Sequence, residues 1–103
     1  MSKGAINFSS DNEYYTPKKL VDYFGTFDYD PATTEEKAKE FNIINYDTIN
    51  TNGLFSDWSK YKRIWINPPF TLKHKFLEKA VNEYKANAIY IYIYFISYRI
   101  SNY

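Results

Sequence analysis

The sequence predicts an α/β layered domain built on a mainly parallel sheet. Three observations carry this prediction. Short β-prone runs alternate with amphipathic helical patterns in the order α-β-α-β-loop-β-α, followed by a last apolar run. The chain has 103 residues, enough for one small domain with a modest core. The run Ile64-Trp65-Ile66 ends abruptly in Asn67-Pro68-Pro69-Phe70, and two prolines can neither continue a ladder nor enter a helix interior. The chain therefore stops at the lip of a sheet, where open α/β sheets bind ligands.

Composition narrows the function. Hydrophobic residues make up 45% of the chain, which is not the signature of disorder. The net charge of +1 supplies no global field, so contact with DNA requires a local basic patch. The absence of cysteine and the single histidine remove disulfide scaffolds, zinc sites and thiol catalysis. The start, Met1 to Ser10, is too polar for a signal peptide. The longest uncharged apolar-looking run, Ala88 to Tyr98, is shorter than the ~20 residues that span a bilayer. A cytoplasmic protein with no membrane and no metal partner is expected.

Taken in order, residues 1–12 read as a flexible leader, rich in Ser, Asn and Asp. Thr16 can cap a first helix, with Pro17 at its first position and Leu20, Val21 and Phe24 on one face. Gly25 is a natural stop. Thr26 to Asp30 reads as a strand in which Phe27 and Tyr29 alternate with Asp28 and Asp30, and Pro31 ends it. Thr33 and Glu36 form a capping-box pattern for a helix running through Phe41. Ile43 to Tyr46 is a second short strand, and Asp47 to Gly53 is turn chemistry throughout. Leu54 to Trp58 is a loop whose two aromatics need burial. Arg63 to Ile66 is the third strand. Thr71 can cap a helix from Leu72 to about Lys85, with Phe76, Leu77, Ala80, Val81 and Tyr84 as its apolar stripe.

The ending is unusual. Residues 89–95 alternate Ile and Tyr almost perfectly, so a strand there places Ile89, Ile91, Ile93 and Phe95 on one face and Tyr90, Tyr92 and Tyr94 on the other. The same run also reads as translated AT-rich low-complexity sequence, a frameshifted ending, and the two readings are compatible. Accordingly the chain divides into a leader (1–12), a partial domain (13–87) and a tail (88–103).

Several residues could carry chemistry. The amine on an aromatic base is a poor nucleophile because its lone pair is delocalised into the ring. Two acceptors gripping its two N–H protons free that lone pair. The Asn67 side-chain oxygen and the Pro68 carbonyl could form such a pair, with Phe70 stacking on the ring. The alternative is a Pro-Pro turn with Phe70 plugging the core, and the tetrapeptide alone leans towards it. Asp30, at a strand end before Pro31 and Ala32, could hold a ribose hydroxyl or a positive amino group. Asp47 stands in the same relation to the second strand, and Asp57 could approach an adenine with Phe55 or Trp58 stacking. For both, an ordinary solvated turn aspartate is the stronger reading. With three glycines and no GxGxxG, a dinucleotide or P-loop site is disfavoured. Lys18, Lys19, Lys60, Lys62, Arg63, Lys73 and Lys75 flank these segments and could meet phosphates. His74 stands alone.

In combination, Tyr15-Thr16-Pro17, Phe27-Asp28-Tyr29-Asp30-Pro31-Ala32, Asn52-Gly53-Leu54 with Asp57-Trp58, and a strand ending in Asn67-Pro68-Pro69-Phe70 resemble the phage-type DNA adenine N6-methyltransferases. The resemblance spans roughly residues 13–84. It implies a Rossmann-like fold, S-adenosylmethionine as donor and a flipped adenine in DNA as acceptor. It also implies an adenine-gripping loop at Asn67, Pro68, Pro69 and Phe70, and cofactor contacts at Tyr15, Thr16, Pro17, Asp30 and Ala32, with Asp47 and Asp57 on the same side. The protein would then be a phage or prophage product acting in the host cytoplasm, related to restriction-modification. The family pattern continues with further sheet where this chain has its Ile/Tyr run, so the sheet is expected to be incomplete at the C-terminus. Two rival readings remain: a non-catalytic truncated remnant that self-associates through an exposed sheet edge, and, ranked lower, a protein glutamine N5-methyltransferase, since an amide nitrogen needs the same two-acceptor grip.

Overall fold

The computed structural model describes residues 6–10 and 17–95. They form strand β1 (Ile6–Ser10), helix α1 (Pro17–Phe24), β2 (Tyr29–Asp30), α2 (Glu35–Glu40), β3 (Asn45–Tyr46), β4 (Arg63–Ile66), α3 (Lys73–Ala86) and β5 (Tyr90–Phe95). Short 3-10 turns stand at Gly53–Phe55 and Phe70–Leu72. The sheet runs in the order β1-β5-β4-β2-β3, and every described pairing is parallel. The predicted mixed α/β class with a parallel sheet is therefore present.

The two halves of the sheet wind in opposite directions. From β2 the chain crosses through α2 to β3, on one side of β2. From β4 it crosses through α3 to β5, on the other side. Connections of one hand then place α2 and α3 on opposite faces. The packing agrees. Phe76 and Ala80 of α3 are buried with Ile64, Ile66, Ile89, Ile91, Ile93, Tyr29 and Trp58. Val21 of α1, with Phe41 and Ile43 around α2, is buried on the other face with Phe27, Trp65 and Tyr94. Period-two alternation divides β4 and β5 between these cores, with isoleucines on one side and Trp65 and Tyr94 on the other.

The Ile/Tyr run is thus a strand with the two predicted faces, and it is interior to the sheet. β5 pairs with β4 through Ile64 opposite Ile91 and with β1 through Ile6 opposite Ile91. The stretch read as a flexible leader contains β1, an outer strand of this sheet. Here composition misled, because a polar strand is carried by its ladder to β5.

Several local expectations give way to tertiary contacts. The N-cap of α2 is Thr34, whose hydroxyl accepts from the Lys37 N–H at 3.1 Å, so the Thr33–Glu36 capping box does not form. Thr71 caps nothing: the chain enters α3 through a 3-10 turn without any side-chain cap. Strand β2 is shorter than predicted. Asp28 lies in a bend, where its carboxylate accepts the N–H groups of Lys62 at 2.9 Å and Arg63 at 3.0 Å. That bend puts Phe27 and Tyr29 in opposite cores, although their spacing predicts one face. Arg63 is structural: it donates to the carbonyls of Thr26 and Phe24 and lies over the rings of Phe27 and Tyr92. Gly25 does end α1, at φ 106°. The proposed Thr16 cap lies outside the described residues.

Candidate functional site

Three adjacent parallel strands, β3, β2 and β4, end at the same edge of the sheet. Their carboxyl ends deliver Asp47, Asp30 and Asn67. The crossovers diverge between β2 and β4, and such a reversal opens a crevice at the strand ends. The predicted site residues therefore converge on one edge, but not all in one cavity.

Asp30 is almost sealed, at 2% exposure. Its Oδ1 accepts the Ala32 N–H at 2.9 Å, and no lysine or arginine among the described residues pairs with it. Burial pushes its carboxyl up to about 7, against the lowering effect of the Ala32 N–H. The loop after β3 lies against the next residue, Pro31. A Cβ on Gly53 would stand 2.0 Å from the Pro31 carbonyl oxygen, so only glycine lets this loop lie so close. The indole N–H of Trp58 donates to the Gly53 carbonyl at 2.8 Å and anchors it.

Asp47 faces a cleft of about 380 Å³ lined by Tyr29, Asn45, Tyr46, Ser56, Lys60 and Tyr61 among others. Its backbone is clamped, its N–H donating to the Asp30 carbonyl at 2.9 Å and its carbonyl accepting from the Thr33 N–H at 3.0 Å. Its Oδ2 accepts two hydroxyls, from Tyr29 and, at 2.6 Å, from Ser56. Partial burial pushes this carboxyl up, but hydrogen bonds from Ser56, Tyr29 and Thr51 outweigh burial and hold it below the usual carboxylate range. Burial, then the bond to Asp47, pushes the Tyr29 hydroxyl far up, so it remains a donor.

Asp57 also lines the cleft, exposed, with its Oδ1 accepting the N–H and hydroxyl of Ser59. Those bonds hold it below the usual range. Of the two aromatics expected to be buried in this loop, Trp58 is (0% exposed) and Phe55 is not (86%). Trp58 is thus a core residue, and Phe55 alone is free to stack on a ligand.

Asn67 and Pro68 are half-buried at the end of β4, Pro69 is exposed, and Phe70 is 68% exposed with the Lys73 ammonium 5.5 Å from its ring centre. Phe70 does not plug the core. The half-buried amide beside an outward ring is the arrangement a gripping loop needs. His74 and Lys75 are exposed just beyond. Pro17 begins α1, Ala32 is half-buried against the α3-side core, and Tyr15 and Thr16 lie outside the described residues.

The structure therefore brings Asp47 and Asp57 into one cleft and leaves Asp30 and the 67–70 loop outside its walls. Sequence reasoning missed Tyr29, Ser56 and Tyr61, and named Lys60 only as a flanking phosphate contact. A signal for Tyr29 exists in its position one residue before a strand-end aspartate. Nothing local marks Ser56. Among the described residues no group of His, Asp and Glu is arranged to hold a metal ion, and no helix is long and apolar enough to cross a membrane.

Comparison with known proteins adds the following. A family model described as DNA N-6-adenine-methyltransferase (Dam) matches residues 7–101. That stretch takes in β5 and all of β1 but Ile6, and exceeds the span of roughly 13–84 expected from motifs. The curated DNA N-6-adenine-methyltransferase of Escherichia phage T1 is 32% identical over 76 residues, covering 70% of this chain and 31% of the relative. The chain thus spans about a third of the length of that relative. No solved structure matches.

Proposed function

Because the chain belongs to the DNA N-6-adenine-methyltransferase (Dam) family, we propose that it is the nucleotide-handling part of an adenine-specific DNA methyltransferase, with a Rossmann-like sheet, S-adenosylmethionine as donor and a flipped adenine as acceptor. The observation that carries this reading is the Asn67-Pro68-Pro69-Phe70 loop at the carboxyl end of β4, beside the divergence of the two crossovers, with an accessible ring. The site residues are Asn67, Pro68, Pro69 and Phe70 for the adenine. Tyr15, Thr16, Pro17, Asp30, Ala32, Asp47 and Asp57 serve the cofactor.

The cofactor suits what is present. The cleft beside Asp47 is within the size range of small-molecule sites, roughly 300–1,000 Å³. Asp47 and Asp57 are acceptor-only when ionised, which matches a polyhydroxylated ligand. Asp30 is a buried acid without a cation, behind the same strand ends. When bound, S-adenosylmethionine supplies a methyl group on a sulfonium, whose C–S bond breaks as the new N–C bond forms, the electron pair leaving with sulfur.

The chain's own residues do the rest. The Asn67 oxygen and the Pro68 carbonyl each accept one N6–H. This pulls the amine towards a tetrahedral shape and offsets the positive charge that grows on it during attack. Phe70 stacks on the base and holds it in line. The extra proton leaves N6 along the accepting oxygens to water. The test is N6-methyladenine formation in DNA, measured by mass spectrometry. Asn67→Ala should lower the rate by about 100-fold or more. An absence of product from the wild-type protein at high concentration would overturn the reading.

A further inference from the structure

We propose that Tyr29 and Ser56 are positioning residues that make Asp47 selective for a ribose: by holding Oδ2 between two hydroxyl donors, they turn Oδ1 to the vicinal hydroxyls of a nucleoside. This rests on the reading of the cleft as the S-adenosylmethionine site.

The three side chains come from three separate segments: β2, the end of β3 and the 3-10 turn that ends at Phe55. Each is fixed independently of any ligand. Tyr29 stacks on Tyr61, with ring centres 4.2 Å apart and planes 10° from parallel, and meets the edge of Trp58. Ser56 follows the turn that Trp58 ties down through the Gly53 carbonyl, and its own N–H donates to that carbonyl at 3.3 Å. Asp47 is clamped through both of its backbone polar groups to the Asp30–Thr33 segment. None has to reorganise when a ligand arrives.

A carboxylate offers about four lone-pair positions, two on each oxygen. The Tyr29 and Ser56 hydroxyls occupy those on Oδ2. A ligand must then be taken through Oδ1, which has room for a ligand hydroxyl beside the Thr51 hydroxyl that also bonds this carboxylate. Tyr29 is a donor and Asp47 an acceptor across the working pH range, so the polarity of the arrangement does not switch. A site built to accept ligand hydroxyls discriminates against the analogue that lacks one, because the half-buried carboxylate then loses a charge-assisted hydrogen bond it is already oriented to make.

The experiment is calorimetric binding of S-adenosylhomocysteine and its 2′-deoxy counterpart to the whole chain. The wild-type protein is expected to prefer the ribose form by about tenfold or more. Tyr29→Phe, which keeps the ring stack, and Ser56→Ala should each reduce that preference several-fold, while Ser56→Thr restores it. A merely structural role would weaken both ligands equally and leave the ratio unchanged. An unchanged ratio in both variants, with wild-type binding intact, overturns the positioning role alone. Failure of the wild-type protein to bind either ligand overturns the cofactor reading beneath it.

Discussion

Asp30 is a carboxyl group that burial has deprived of water without supplying a cation. Its folded-state value of about 7 lies above the ~3.9 of an unfolded chain. Between those values the folded state keeps a proton that the unfolded state releases. The stabilisation is therefore full below about pH 4 and is lost as the pH rises towards 7. Urea unfolding should show the wild-type protein about 2–3 kcal/mol less stable at pH 8 than at pH 5 from this group, and Asp30→Asn, which keeps an acceptor for the Ala32 N–H, should flatten that fall. The carboxyls held low, Asp47 and Asp57, titrate below this window. Asp30, Asp47 and Asn67 were legible in the sequence because prolines and turn residues mark where strands stop. Tyr29 and Ser56 were not, because their importance lies in a shared hydrogen-bond acceptor 18 and 9 residues away, respectively.

Elements were more legible than their ends. The four strands and three helices read from the sequence all exist, since short length, β-branched and aromatic content and the prolines that follow mark a run such as Arg63–Ile66, while a 3.6-residue stripe marks α3. Their caps were decided by competition among near-equivalent residues. At the start of α2 two threonines are adjacent, and the one with extended backbone (φ −120°, ψ 163°) wins. Thr34→Ala should therefore cost about 1 kcal/mol in thermal or urea unfolding, and Thr33→Ala less than about 0.5 kcal/mol. The bend at Asp28 shows the same limit. Alternation puts Phe27 and Tyr29 on one face, but the carboxylate of Asp28 captures two backbone N–H groups of the neighbouring strand and turns the chain between them.

For the molecule as a whole, β5 decides whether there is one sheet. Among the described residues it alone joins β1 to the rest, and its flank buries Ile89, Ile91 and Ile93 in one core and Tyr94 in the other. Four such side chains, at roughly 1.5–3 kcal/mol each, together reach the roughly 5–15 kcal/mol that holds a typical domain together. A chain ended after Asn87 should show no cooperative unfolding transition by circular dichroism, whereas the full chain should. The low-complexity look of this run and the polarity of β1 obscured both strands. Neither feature matters to a backbone ladder, which needs only extended chain and a partner.

By itself the sequence determined the alternating α/β class, the parallel sheet, the strand that ends in Asn67-Pro68-Pro69-Phe70 and the family to which that ending belongs. These are local matters of period, turn chemistry and motif. Only the tertiary structure decided that β1 and β5 join the sheet, that Asp30 is buried while Asp47 faces a cleft, and that Phe70 is exposed. Those outcomes depend on which segments meet across the sheet, and the side chains concerned are the same before and after that meeting.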